Sequence, residues 1–194
     1  MKINQLVYLI CFILLFANCT KDHLADPSIP EAAIIHYVDY SPDSILPGTD
    51  VNVGANYELD LNNDSLPDIR FRMYHSLYQH GPQTYDQYSI ALTCLNDAGI
   101  MFIGGNGCIN SLDTLTPVNA GSDFRQQAYL QVTDFNNGFV CAPFAQPAYI
   151  GFRLHKQNNY NYGWIKLSAS DFAILYEYAY NETPGGGILV GQKL

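Results

Sequence analysis

Residues 57–73 read YELDLNNDSLPDIRFRM. Tyr57–Leu61 alternates polar and apolar, and Ile69–Met73 does so again, with Ile69, Phe71 and Met73 on one side and Arg70 and Arg72 on the other. Side chains of a strand point alternately to opposite faces, so this pattern predicts two half-buried strands joined by a polar loop. The same period recurs outward along the chain. Ser89–Leu95 sets Ile90, Leu92 and Cys94 together. Ala128–Thr133 points Leu130 and Val132 inward, and Ala148–His155 points Ile150, Phe152 and Leu154 inward. Ile34–Tyr40, Tyr162–Leu167 and Ala173–Tyr180 complete the set, with Gly, Pro, Asn and Asp between the runs. No window longer than about ten residues holds a 3.6-residue period. The expected fold is all-β, an antiparallel, jelly-roll-like β-sandwich over residues 34–194, with Trp164 in or near its core.

The chain has 194 residues, the length of one domain with a sizeable core. Eighteen acidic residues against nine basic ones give a formal charge of −9. Such a chain repels phosphate backbones and gains nothing from counterion release, which argues against a nucleic-acid partner. It is repelled by anionic lipid as well, so a membrane tie has to be covalent. Charged residues are few, while 15 Tyr and 10 Phe favour strands.

Residues 1–19 are MKINQLVYLICFILLFANC. A lysine at position 2 precedes an apolar run from Leu6 to Ala17. A membrane span needs roughly 20 apolar residues, so this run is short, and it has the form of a secretory signal. The ending Ala17-Asn18-Cys19 resembles the bacterial lipobox, although Asn18 stands where Ala, Gly or Ser is usual. The resemblance implies a signal peptide over 1–18, removed by cleavage before a lipidated Cys19, and an anchor in the bacterial cell envelope. Lys21 and Asp22 resemble the signals that send lipoproteins to the outer membrane, on its periplasmic or its surface face. Residues 20–33, TKDHLADPSIPEAA, are polar and aperiodic, so 19–33 reads as a lipidated tether. Loss of Lys2 with the leader takes the formal charge to −10.

Residues 60–68, DLNNDSLPD, place oxygen side chains at loop positions 1, 3, 5 and 9: Asp60, Asn62, Asp64 and Asp68. Ca2+ takes six to eight oxygens at about 2.3–2.6 Å, and a chain curling round an ion presents alternate residues inward. The carbonyl of Leu66, at position 7, would add a ligand. An Asn/Asp-rich turn without metal is the competing reading. The loop is not an EF-hand, because Phe71 stands at position 12 and Ser65 at position 6. It resembles the D-x-[DN]-x-D-G-x-x-D loops of bacterial extracellular β domains, which implies one structural Ca2+.

Near the end, YGWIKL (162–167) is followed by YAYNETP (178–184), then Ile188 and Gly191. These segments resemble the terminal part of a group of secreted bacterial β proteins. The resemblance implies fold and export and carries no activity. Those proteins often bear a C-terminal sorting tail; this chain reaches Leu194 without one, which places the expected anchor at the N terminus.

Of five cysteines, Cys11 leaves with the signal and Cys19 takes lipid, leaving Cys94, Cys108 and Cys141. Cys94 and Cys108 flank a hairpin-like stretch and are the expected disulfide, with three buried free thiols as the alternative. No spacing suggests zinc, a Ser-His triad or a metalloprotease, so no catalytic residue is named. Asp39 and Asp43 read as turn formers before they read as a glycosidase pair. His75 and His80 suggest no third metal ligand. Tyr74, Tyr78, Tyr85 and Tyr160 lie among amide-rich loops, a mixture that suits sugar or peptide ligands and equally fills the rims of sandwiches. The expected function is a lipid-anchored envelope or surface module, binding or structural, with a glycan or protein ligand as possible partner. The alternative is a carbohydrate-binding or carbohydrate-active component of a glycan-handling system.

Overall fold

The alternating runs become strands, and the strands form two antiparallel sheets packed face to face. The computed structural model describes residues 33–104, 107–134, 139–142 and 144–194. The leader, Cys19 and residues 20–32 of the tether lie outside them. The first sheet has the order β1 (Ile35–Leu46), β12 (Ala173–Asn181), β11 (Asn159–Ala169), β10 (Phe144–Lys156), β5 (Gly99–Met101) and β7 (Phe124–Arg125). The second has β2 (Gly54–Leu59), β3 (Ile69–His80), β4 (Gln83–Cys94), β8 (Gln127–Asp134) and β9 (Phe139–Cys141). A short pair, β6 (Pro117–Val118) and β13 (Ile188–Leu189), stands apart. The described residues contain no helix. The fold is an all-β antiparallel sandwich.

The inward positions read from the sequence meet between the sheets. Ile69, Phe71 and Met73 from β3, Ile90 and Leu92 from β4, and Ile150, Phe152 and Leu154 from β10 are all buried in one cluster. Each large apolar side chain removed from water contributes about 1.5–3 kcal/mol, so this layer dominates stability. A second cluster lies on the other face of the first sheet, where Tyr162, Trp164 and Ala179 meet Val118, Ile188 and Val190. Strand β11 is therefore covered on both faces over most of its length, and Tyr162–Ile165 is buried without a break. Trp164 is fully buried, and its indole N–H donates to the Gln192 carbonyl at 3.2 Å. Gly163 is sterically required: a Cβ there would stand 2.2 Å from Cζ of Phe152 and 2.6 Å from the Ala179 carbonyl oxygen.

The C-terminal residues are fastened over this face by a buried carboxylate. Glu177 is 6% exposed, and it accepts hydrogen bonds from the Tyr37 hydroxyl at 2.6 Å, from Lys193 Nζ and from Lys166 Nζ at 3.4 Å. Burial alone would raise its carboxyl. The hydrogen bonds from Lys193 and Tyr37 and the charges of Lys193 and Lys166 outweigh that and hold it below the usual glutamate value. A depressed carboxyl stabilises the fold above its unfolded value, and the contribution is lost as pH falls through the folded one. Lys193→Ala is expected to cost about 1–2 kcal/mol at neutral pH. It should also flatten the loss of melting temperature on acidification from pH 5 to about pH 3. An unchanged acid limb in Lys193→Ala would remove this pair from the stability of the fold.

Three expectations are corrected. Tyr74, Tyr78 and Tyr85, expected among amide-rich loops, lie instead on β3 and β4, which extend as a long hairpin in full register from Ile69↔Cys94 to His80↔Gln83, turning at Gly81 with φ +60. Both faces of that extension are largely exposed, so the apolar alternation that marks a half-buried strand is missing there. Val132 is buried but does not point into the main core beside Leu130. A register shift between Ile90 and Ala91 sets it opposite Ser89 and Cys141. The disulfide is Cys108–Cys141, with Cα atoms 5.5 Å apart, and not Cys94–Cys108. Cys94 faces the core opposite Ile69, while Cys108 bridges to Tyr129 at the far edge of the second sheet. The bond links the segment through Cys108 to β9, and both flank β8.

Candidate functional site

Residues 60–68 connect β2 to β3, whose ends pair at Leu59↔Ile69, so the loop closes a hairpin as expected. Asn63 (φ +57) and Ser65 (φ +70) take the left-handed conformation; Ser65 does what glycine does at position 6 of an EF-hand. The side-chain oxygens fold back on the loop. Asp60 accepts from the N–H groups of Asp64 (3.2 Å) and Ser65 (2.7 Å). Asn62 accepts from Asp64 N–H at 2.9 Å, and Asp64 from Leu66 N–H at 2.8 Å. Asp68, 3% exposed, accepts from Leu61 N–H at 2.8 Å. Burial, with the charges of Asp64 and Asp60, pushes the Asp68 carboxyl up to about 6 against the pull of its N–H donors. The loop is tied to the core through buried Leu61, whose carbonyl accepts from the Tyr178 hydroxyl at 3.1 Å, and through Asn96, which donates to the Pro67 carbonyl at 2.9 Å. The loop carries four oxygen-bearing side chains, three of them carboxylates, a chemistry that suits a hard cation. Among the described residues, however, no three His, Cys, Asp or Glu side chains converge closely enough to be a ready-made metal centre.

The four candidate tyrosines do not form one site. Tyr78 and Tyr85 face each other across the distal hairpin, where the Tyr85 hydroxyl donates to Gln83 and Tyr78 stacks near His80. Tyr74 lies four residues back on the same outward side of β3. Tyr160 belongs to the other sheet, where its ring lies 4.3 Å beneath the Arg153 guanidinium. His75 stacks on Tyr88 at 4.3 Å and contacts Asp86 at 2.7 Å. An odd spacing along one strand puts His75 and His80 on opposite faces, so they cannot share an ion. Asp39 sits on β1 opposite Glu177, before the register shift that contains Asp43. The Cys94 thiol is pushed up to about 12 by burial, which keeps it an unreactive core group.

The outward face of the second sheet carries a constellation that spacing along the chain does not reveal. Register aligns Asn56, Arg72, Ala91 and Tyr129 in one row across β2, β3, β4 and β8. The small Ala91 between two large side chains leaves a depression. A groove of about 290 Å3 runs there, lined by Arg72, Ala91, Thr93, Gly107, Gln127 and Tyr129. A neighbouring hollow of about 220 Å3 shares Arg72, Ala91 and Tyr129 and adds Tyr74 and Ser89. Tyr74 is 43% and Tyr129 39% exposed. Arg70, two residues away, is paired with Glu58 at 2.6 Å, whereas Arg72 makes no ion pair with a described residue. The sequence marks Arg72 only as an outward position of a strand.

Comparison with family models, with curated proteins and with solved structures finds no match for this chain.

Proposed function

We propose that this chain is an exported, lipid-anchored β-sandwich module of a bacterial cell envelope, fixed through Cys19 and stabilised by one Ca2+ in the 60–68 loop. The observation that carries the export reading is the Cys108–Cys141 bond. Disulfides persist in oxidising compartments outside the cytosol and are rare within it. The apolar leader and the Ala17-Asn18-Cys19 ending supply the route and the anchor. Cell fractionation tests this: the protein is expected with membranes, released by detergent and not by salt. A soluble cytosolic chain would overturn it.

Asp60, Asn62, Asp64 and Asp68, with the Leu66 carbonyl, would hold the ion. Its charge would offset the mutual repulsion of three carboxylates in nine residues. The oxygens engaged by loop N–H groups keep further lone pairs for a metal. The metal is structural in this reading, because the loop is anchored to the core by Leu61 and Asn96 and lines neither the 290 Å3 groove nor the 220 Å3 hollow of the second sheet. Calorimetric melting in calcium and in EDTA tests it. Chelation is expected to cost about 2 kcal/mol, the effect of free ion at roughly thirtyfold its Kd. That is a drop of about 5 °C for a domain of this size. Asp64→Ala should abolish the response. The response and not the melting temperature itself is the readout, since Asp64 also braces the turn through Leu66 N–H. Wild-type melting indifferent to EDTA would remove calcium.

A further inference from the structure

The groove on the outward face of the second sheet deepens the surface-module reading by naming a ligand. Adjacent strands lie about 4.8 Å apart, so Arg72 and Tyr129, two strands apart with Ala91 between them, flank a floor about 10 Å across. Tyr74 borders the same floor from the next outward position on β3, opposite Gly54 and Ser89. Thr93, Ser89 and Gln127 add hydroxyl and amide groups along it.

We infer that this groove binds a uronate-bearing oligosaccharide, with the sugar carboxylate on Arg72 and pyranose faces against Tyr74 and Tyr129. Three features select that chemistry. A guanidinium is a planar fork that matches a carboxylate with two parallel N–H···O bonds. Part-exposed tyrosine rings offer flat apolar faces beside polar tips, which suits the mixed surface of a sugar. The chain carries a net charge of −9, and the fold uses its other arginines: Arg70 on Glu58, Arg125 over Phe102 at 3.5 Å, Arg153 between Phe124 and Tyr160. Arg72 alone of the four has no ion-pair or ring partner among the described residues, and it lines the groove. In an acidic protein this is a local complement to an anion, so binding should be sensitive to salt.

The test uses the exported protein purified in detergent and titrated with oligosaccharides of polygalacturonate, alginate and glucuronoxylan. Neutral glucan oligomers and a polyglutamate peptide serve as controls. At least one uronate oligomer is expected to bind. Arg72→Gln should weaken it roughly ten- to a hundredfold, the loss of a bidentate bond to a charged group. Tyr129→Ala or Tyr74→Ala should each weaken it by at least several-fold, and methyl esterification of the uronate should do what Arg72→Gln does. Melting curves of the variants establish that they are folded; Arg72 and Tyr74 are exposed, so each should melt near the wild type. No binding to any uronate oligomer, binding unchanged in Arg72→Gln, or binding of polyglutamate in preference to the sugars would each overturn the inference. None of these outcomes touches the anchor, which is read from fractionation.

Discussion

Removal of the Cys108–Cys141 bond is expected to lower the melting temperature by roughly 10 °C. The bond joins residues 33 apart. Closing a loop of that length in the unfolded chain corresponds to about 3–4 kcal/mol. A domain of this size shifts by roughly 2–4 °C per kcal/mol. The Cys108→Ser, Cys141→Ser double variant should show this loss, and reductant should reproduce it in the wild type. Cys94→Ala should keep the bond and lose only the packing of one buried thiol, about 1 kcal/mol. Peptide mapping under non-reducing conditions should find one cystine, joining the peptides that carry 108 and 141. A Cys94–Cys108 cystine, or melting indifferent to reductant, would contradict the edge closure of the second sheet.

Cys19→Ala is expected to move the protein almost completely from membrane to soluble fractions. One acyl chain binds a bilayer only marginally, at about 0.8 kcal/mol per buried methylene, whereas two or more hold firmly. The charge is −9, which disfavours adsorption to anionic lipid, and among the described residues no helix is long and apolar enough to cross a membrane. An uncleaved leader would retain the variant for an unrelated reason. A second variant therefore places the Cys19→Ala chain behind a leader cut by the ordinary signal peptidase. Its release is the expected result, and firm membrane retention of that mature chain would refute anchoring through Cys19.

The strands legible in the sequence are those with one face in the core and one in water. Ile69–Met73 and Ile150–Leu154 alternate because Phe71 and Phe152 are buried while Arg72 and Arg153 are not. The hairpin beyond Tyr74 was hidden because its two faces are alike. The 60–68 loop was legible because its chemistry is local, a spacing of two within nine residues. The disulfide was not: Cys94 and Cys108 are neighbours along the chain but sit on opposite sides of a sheet, and only the pairing of β8 with both flanking segments brings Cys141 to Cys108. The Arg72–Ala91–Tyr129 row was hidden for the same reason. It is assembled from three strands whose order and register depend on long-range pairing and on the shift between Ile90 and Ala91.

Anchoring through Cys19 is the claim on which the proposed location depends, and intact mass spectrometry of the protein extracted from cells tests it most directly. The expected species begins at Cys19 and carries the mass of a diacylglyceryl thioether on that residue. A chain that begins at an unmodified Met1, recovered without detergent from the cytosol, would contradict it.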